Sequence, residues 1–345
     1  MICRSSIATL VLTGLVLSST PATASVPKER RARIATRFMI EQQAADGSFP
    51  ALSDIGSTAD AIVSLVAARR GPTAIRKAVA FLENNEGEID TIGELAKVAQ
   101  ALTAAGSDPT SFGGRDLIAE IESSQQLGGR YGATTSVLGH ALAMLALEGA
   151  AATTTLPLGG RWLAEAQCSG GGWQYLEPSS PAEDDDCSFG PLDIDRANTD
   201  TTAVAVQALE ALPLPLEAAN DPFAFFRRAL DRTHGGWGYG FGIGTQTNTN
   251  STAMVLQAYA AAEIGPPSGA ARALVRLQGK LCRPNAGAFF YTWGDEDGDG
   301  DDERVQPDDL AATIAAVPGL LRAELPQPRR DVVGPPPRTA RCRAS

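Results

Sequence analysis

The sequence predicts an all-α fold built from about six helical hairpins, and three observations carry that prediction. A Gly-rich turn returns six times, as Asp46-Gly47-Ser48-Phe49, Glu86-Gly87-Glu88-Ile89, Gly128-Gly129-Arg130-Tyr131, Gly171-Gly172-Trp173-Gln174-Tyr175, Gly235-Gly236-Trp237-Gly238-Tyr239 and Gly287-Ala288-Phe289-Phe290. Its aligned glycines, Gly47, Gly87, Gly129, Gly172, Gly236 and Gly287, stand 40, 42, 43, 64 and 51 residues apart. Each turn follows an apolar run at helical spacing and precedes an Ala-rich one. Repeats of this length are supersecondary units that cannot bury their apolar faces alone and therefore stack.

The elements follow in order. Arg4, the apolar run from Ile7 to Leu17 and the small residues Ala22-Thr23-Ala24 read as a secretory signal peptide cut after Ala24, residues 1–24. The run is short for a membrane span. After a polar leader, the first hairpin runs from about 31 to 70. Its second helix starts at Ser57-Thr58-Ala59-Asp60, with Ala61, Ile62, Leu65 and Val66 at helical spacing. The second covers about 73–106, with Ala78, Phe81 and Leu82 before its turn and Leu95, Val98 and Leu102 after it. The rest cover about 114–150, 157–213, 220–264 and 268–325. Prolines at Asp108-Pro109, Pro213-Leu214-Pro215 and Gly265-Pro266-Pro267 separate units, since proline breaks a helix interior. Residues 326–345 are a Pro- and Arg-rich tail.

Six alternating hairpins either close into a ring or form an open solenoid. The second helix of each pair, such as Thr201 to Leu212 or Ser251 to Ala262, is the more Ala-rich and uncharged, which suits an inner layer of closely approaching helices. The Gly-Gly-Trp-x-Tyr turns before starts such as Asn198-Thr199-Asp200-Thr201-Thr202-Ala203 resemble the prenyltransferase and squalene-oxidase repeat superfamily. That resemblance spans residues 31–325 and implies a single α/α toroid. The superfamily includes terpene cyclase domains, protein prenyltransferase subunits and the helical domain of exported cobalamin carriers, the last being closest in character.

The resemblance also suggests where chemistry would lie. Squalene-type cyclases protonate substrate with an Asp-x-Asp-Asp-Thr-Ala motif at an inner helix start, and such an acid needs an apolar setting that keeps it protonated. Asp200 matches the proton-donating position without the flanking carboxylates, and Asn248-Thr249-Asn250-Ser251-Thr252-Ala253 repeats the segment without any acid. A capping role at the helix start is the competing reading. Aromatic turns entering inner helices gather at one mouth, which makes Tyr175, Tyr239, Phe241, Tyr291 and Trp293, with His140 from the third inner helix, candidate ligand-binding residues. Trp173 and Trp237, at equivalent positions, read as packing residues.

The acidic loop opening Asp295-Glu296-Asp297-Gly298-Asp299-Gly300 has the alternating carboxylates of a calcium loop. Asp295, Asp297, Asp299, Asp301 and Glu303 are its candidate ligands for a structural Ca²⁺. No other cofactor is expected. Cys168, Cys187, Cys282 and Cys342 remain after signal cleavage, and an even count in an exported chain suggests two disulfides, Cys168–Cys187 and Cys282–Cys342 being preferred. The balance of 29 Lys and Arg against 40 Asp and Glu argues against a nucleic-acid surface. No second apolar segment reaches membrane length.

These readings converge on a secreted, non-catalytic protein that binds a small hydrophobic or amphipathic molecule at an aromatic-lined barrel mouth. The alternatives are a terpene-cyclase-like enzyme with Asp200 as proton donor and a protein-interaction scaffold without a small ligand.

Overall fold

The structure, a computed structural model, describes residues 27–134, 136–177, 196–212, 218–240, 246–280, 285–294, 302–307 and 309–328. The proposed signal peptide therefore lies outside the described residues. Twelve α-helices occur among them: α1 (Lys28–Glu41), α2 (Asp54–Ala67), α3 (Pro72–Asn84), α4 (Ile92–Ala105), α5 (Leu117–Ser123), α6 (Val137–Gly149), α7 (Leu156–Glu165), α8 (Thr199–Glu210), α9 (Pro222–Ala229), α10 (Thr249–Ala261), α11 (Ala270–Arg276) and α12 (Leu310–Leu321). Two short antiparallel ribbons complete the set, β1 (Trp173–Gln174) with β2 (Ala197–Asn198) and β3 (Thr292–Gly294) with β4 (Glu303–Val305). No helix of the described residues is long and apolar enough to cross a membrane.

The even-numbered helices form a closed barrel. α2 packs on α4, α4 on α6, α6 on α8, α8 on α10, α10 on α12, and α12 returns to α2. The odd-numbered helices form the outer wall, α3 lying against α2 and α4, α5 against α4 and α6, and α1 against α12 and α2. The ring, not the open solenoid, is the architecture. Composition explains the layers. Inner α6 is buried from Val137 to Leu147 save Leu138, so it is apolar almost all round. Outer α3 buries only Ala74, Ile75, Ala78, Phe81 and Leu82, the single stripe of a helix with one wet face.

Every inner helix starts on a side-chain cap. Ser53, Thr91, Ser136, Asn198, Asn248 and Asp309 accept from the amides of Gly56, Glu94, Gly139, Thr201, Ser251 and Ala312 respectively. Each cap satisfies an amide with no partner in the first turn, for about 1 kcal/mol.

The turns keep a tighter rule than their sequences suggest. The left-handed glycine stands two residues before the buried ring: Gly47 before Phe49, Gly129 before Tyr131, Gly171 before Trp173, Gly235 before Trp237 and Gly287 before Phe289, with φ of 101°, 101°, 89°, 84° and 92°. The fourth and fifth units thus align on Gly171 and Gly235, one residue earlier than the sequence alignment places them. A Cβ on Gly47 would sit 2.4 Å from the Lys77 carbonyl oxygen, so close approach to the next outer helix fixes glycine there as firmly as φ does. The second unit departs from the rule, since Gly87 lies in a 3-10 turn over Glu86–Glu88.

Candidate functional site

Each aromatic turn is latched to its inner helix. The amides of Phe49, Trp173, Trp237 and Phe289 donate to the hydroxyls of Thr58, Thr202, Thr252 and Thr313 at 2.9–3.0 Å. In the third unit His140 takes the threonine's place. Its Nδ1 accepts from the Tyr131 amide at 3.0 Å, so its Nε2 carries the proton and faces the Gly159 carbonyl at 3.0 Å. The ring is fully buried between Tyr131 and Trp162, and burial pushes its pKa down to about 3.

The tyrosines use their backbones. The carbonyls of Tyr175, Tyr239 and Tyr291 accept from the amides of Val137, Thr199 and Thr249, the starts of α6, α8 and α10. Each turn therefore caps the inner helix of the preceding unit. Trp173 and Trp237 are fully buried, with indole N–H groups donating to the Leu163 and Phe226 carbonyls. Phe241 lies outside the described residues.

Counting from the caps, the inner helices turn the same levels to the barrel axis. An axial cavity of ≈ 190 Å³ runs there. Its outer level has Leu138, Asn250 and Ala311, two residues past their caps. The middle level has Lys97, Leu142, Val204, Met254 and Ala315, six past the cap, with Asp60 of α2. The inner level has Gln100, Gln207, Gln257 and Pro318, nine past the cap, with Val63. Leu325, from the segment following α12, closes the far end, its amide donating to Gln207 Oε1 at 2.9 Å.

The walls differ in chemistry. Lys97 Nζ pairs with Asp60 Oδ2 at 2.7 Å. The Nε2 groups of Gln100 and Gln207 donate to the carbonyls of Leu142 and Ala203. Leu138, Leu142, Val204, Met254 and Ile314 supply the apolar remainder. Among the described residues lining the cavity, none is aromatic.

Asp200 is two residues past the Asn198 cap, level with Asn250, but it does not line the cavity. The cap is thus Asn198, and Asp200 is half-buried in the first turn. Desolvation raises its pKa to about 6, resisted in part by the Ser251 hydroxyl, close by but outside hydrogen-bond geometry, and by the Thr199 hydroxyl at 3.2 Å. Tyr291, also half-buried, is held above the usual phenol value by burial and then by the charges of Asp200 and Asp309. With a pKa of about 6, the Asp200 carboxyl holds its proton in mildly acidic solution and is mostly ionised at neutral pH.

A separate cluster occupies the fifth turn. Asp231 stands where other units place glutamine (Gln43, Gln125 and Gln167), and accepts from the Thr247 hydroxyl at 2.8 Å and His234 Nδ1 at 2.9 Å. Burial alone would raise its pKa, but the Thr247 and His234 donors hold it low. The His234 ring stacks on Trp293 at 4.8 Å, and its Nε2 lies 3.2 Å from Asp302. Trp293 thereby belongs to this cluster, apart from the axial cavity.

Of the acidic loop, Glu303 is described, exposed on β4, whereas Asp295, Asp297, Asp299 and Asp301 lie outside the described residues. No group of three or more metal-ligating side chains occurs among the described residues. Cys168 is buried and disulfide-bonded, while Cys187, Cys282 and Cys342 lie outside the described residues.

The cavity residues Asp60, Lys97, Gln100, Gln207, Asn250 and Gln257 were not among the sequence candidates. Their signal is faint but present: Gln207 and Gln257 both stand nine residues after an asparagine cap, in helices otherwise made of small and apolar residues.

No protein-family model matches this chain. No curated protein matches it either. Solved structures do. The type II terpene cyclase MstE from Scytonema superposes with a TM-score of 0.58 at 17% identity, covering 86% of this chain and 98% of that one. An inactive variant of an α-1,6-mannanase from Salegentibacter, in complex with α-1,6-mannotriose, has a TM-score of 0.56 at 12% identity and covers 86% and 98%. A protein from Actinoplanes has a TM-score of 0.55 at 15% identity and covers 86% and 99%. The likeness is one of fold, the α/α toroid.

Proposed function

We propose that this protein is a binding protein that encloses one small amphipathic molecule in the axial cavity. The observation that carries this reading is the make-up of the cavity wall, in which Leu138, Leu142, Val204, Met254 and Ile314 form a mainly apolar lining set with one ion pair and a few amides. A concave, mainly apolar site with a few placed polar groups is what small-molecule sites have in common. The toroid neighbours are compatible with it, one solved with a geranylgeranyl dihydroxybenzoate substrate and another with a mannotriose. Native mass spectrometry of the purified protein, incubated with short-chain alcohols and prenyl alcohols, tests the reading. A retained mass that disappears in Leu142→Trp, which fills the middle level, is the expected result. Retention of none of these by the wild type overturns it and favours the scaffold alternative.

A second reading has one observation in its favour, the raised pKa of Asp200 at the rim. In that reading Asp200 protonates a polyprene, as in a terpene cyclase. The described residues of the cavity wall offer no aromatic face to steady a carbocation, which is why the binding reading is preferred. Turnover of a polyprene that Asp200→Asn abolishes would reverse the order.

Export with cleavage after Ala24, a Cys168–Cys187 bridge and a structural Ca²⁺ in the 295–303 loop belong to the same proposal. A melting temperature indifferent to chelator removes the calcium.

A further inference from the structure

Asp60 and Lys97 break the repeat together. Counted from its cap, Asp60 stands seven residues along α2, where the other inner helices carry Val98, Ala143, Ala205, Val255 and Ala316, all buried. Lys97 stands six residues past its cap on α4, level with Leu142, Val204, Met254 and Ala315. No other charged side chain lines the axial cavity among the described residues. The exposure of the pair is exposure to that cavity. From Ile55 to Val66 every residue is buried except Asp60 and Val63, and both line it; from Leu95 to Ala104 only Lys97 escapes burial. The side chains of Asp60 and Lys97 keep 44% and 32% of their area accessible, so a guest can reach them. An ion pair in a mainly apolar wall adds little to stability, because desolvation offsets its attraction. Its place on the wall is better explained by what it can hold.

The pair has bonding capacity to spare. Lys97 Nζ gives one proton to Asp60 Oδ2 at 2.7 Å and makes no other hydrogen bond to a described residue, and Asp60 Oδ1 makes none. Two donors therefore stand beside an acceptor. A carboxylate would meet Lys97 but be set against Asp60, and an ammonium the reverse. A neutral group that accepts and donates at once satisfies both. Resting on the axial-cavity reading above, we infer that Asp60 and Lys97 bind the head of the guest, and that this head is a neutral hydroxyl that accepts from Lys97 and donates to Asp60. The hydrocarbon body lies across the middle level against Leu142, Val204 and Met254. A dry cavity of about 150 Å³ holds benzene, so one of ≈ 190 Å³ takes a chain of about six carbons.

Calorimetric titration of the full chain at neutral pH with hexanol, its isomer methyl pentyl ether, hexanoate and hexylamine tests this. The ether has the size of the alcohol and an acceptor, but no proton to give. The wild type should bind hexanol at least about tenfold more tightly than each of the other three, the discrimination of a hydrogen bond to a charged group. Asp60→Asn leaves Lys97 unneutralised and should bring hexanoate ahead of hexanol; Lys97→Met should bring hexylamine ahead. Exchange of both, Asp60→Leu with Lys97→Met, should keep the melting temperature and abolish the advantage of hexanol over the ether. The wild-type ranking decides by itself if a single variant does not fold. Equal wild-type affinity for hexanol and the ether, tighter wild-type binding of either ion, or no reversal of charge preference in the single variants overturns the inference while leaving the cavity reading in place. Binding of none of the four by the wild type overturns both.

Discussion

Gln278 and Arg31 hold the two ends of the ring together. Gln278 Nε2 donates to the Arg31 carbonyl at 3.1 Å, and Arg31 Nη1 returns a bond to Gln278 Oε1 at 3.0 Å. The same device ties earlier neighbours, Gln43 to the Ala74 carbonyl, Gln125 to that of Thr155 and Gln167 to that of Asn220. Only at Gln278 does it span 247 residues and turn a row of hairpins into a circle. Gln278→Leu leaves the Arg31 carbonyl without this donor, at a cost of about 1–3 kcal/mol. The melting temperature should fall by several degrees, and hydrogen exchange should accelerate selectively in α1, whose inner neighbour across the seam is α12. Unchanged protection of α1 would remove the seam role.

His140 makes the fold sensitive to acid. Its folded pKa lies near 3, below the ordinary value of 6.5, so the unfolded chain binds the proton first as pH falls. The stability is complete above pH 6.5 and drains away between there and about 3. The loss at pH 5 is on the order of 2 kcal/mol. His140→Thr restores the residue found at this latch in four other units, and threonine does not titrate. Urea unfolding at pH 7 and pH 5 should show a marked drop for the wild type and a smaller one for the variant. Equal drops would place the acid sensitivity elsewhere.

Close helix approach in the barrel makes some glycines irreplaceable. A Cβ on Gly319 would fall 2.6 Å from Ala253 Cα, where α12 crosses α10, and the obstructing atom is backbone. Gly319→Ala must push the two helices apart, an overpacking cost of about 1–3 kcal/mol. Gly87 has nothing within 4 Å of a Cβ and no left-handed φ, so Gly87→Ala should be neutral or stabilise by up to about 1 kcal/mol. Comparing the two melting temperatures separates packing from generic glycine replacement.

What the chain reveals before folding is what depends on near neighbours. The turn Gly-x-ring, the polar starts at Asn198 and Asn248, and the contrast between α3 and α6 are local, and they determine the hairpins, although α2 begins at Asp54 on the Ser53 cap, three residues before the Ser57 start the sequence suggests. Even so, Gly172 and Gly236 attracted the alignment away from Gly171 and Gly235, because two adjacent glycines look alike until φ distinguishes them. The cavity was hidden for a different reason. An inner helix is buried on nearly every side, so its pattern does not say which residues meet the axis. Gln257 and Gln207 become a level of a cavity only once the ring has closed.

Asp200 is the residue on which the two functional readings diverge, and one substitution separates them. Its counterpart in the next unit is Asn250, so asparagine fits the position by the chain's own example. A carboxyl whose folded pKa is raised to about 6 from 3.8 costs stability once it ionises in the folded state. That cost is full above about pH 6 and is relieved as pH falls toward 3.8. Asp200→Asn should therefore raise the melting temperature at pH 7.5 and change it little at pH 4, where the wild-type carboxyl is already largely protonated. Ligand retention should be unchanged, because Asp200 does not line the cavity. Loss of a measured turnover alongside the gain in stability would instead identify an acid maintained at a cost to the fold, the pattern expected of a proton donor.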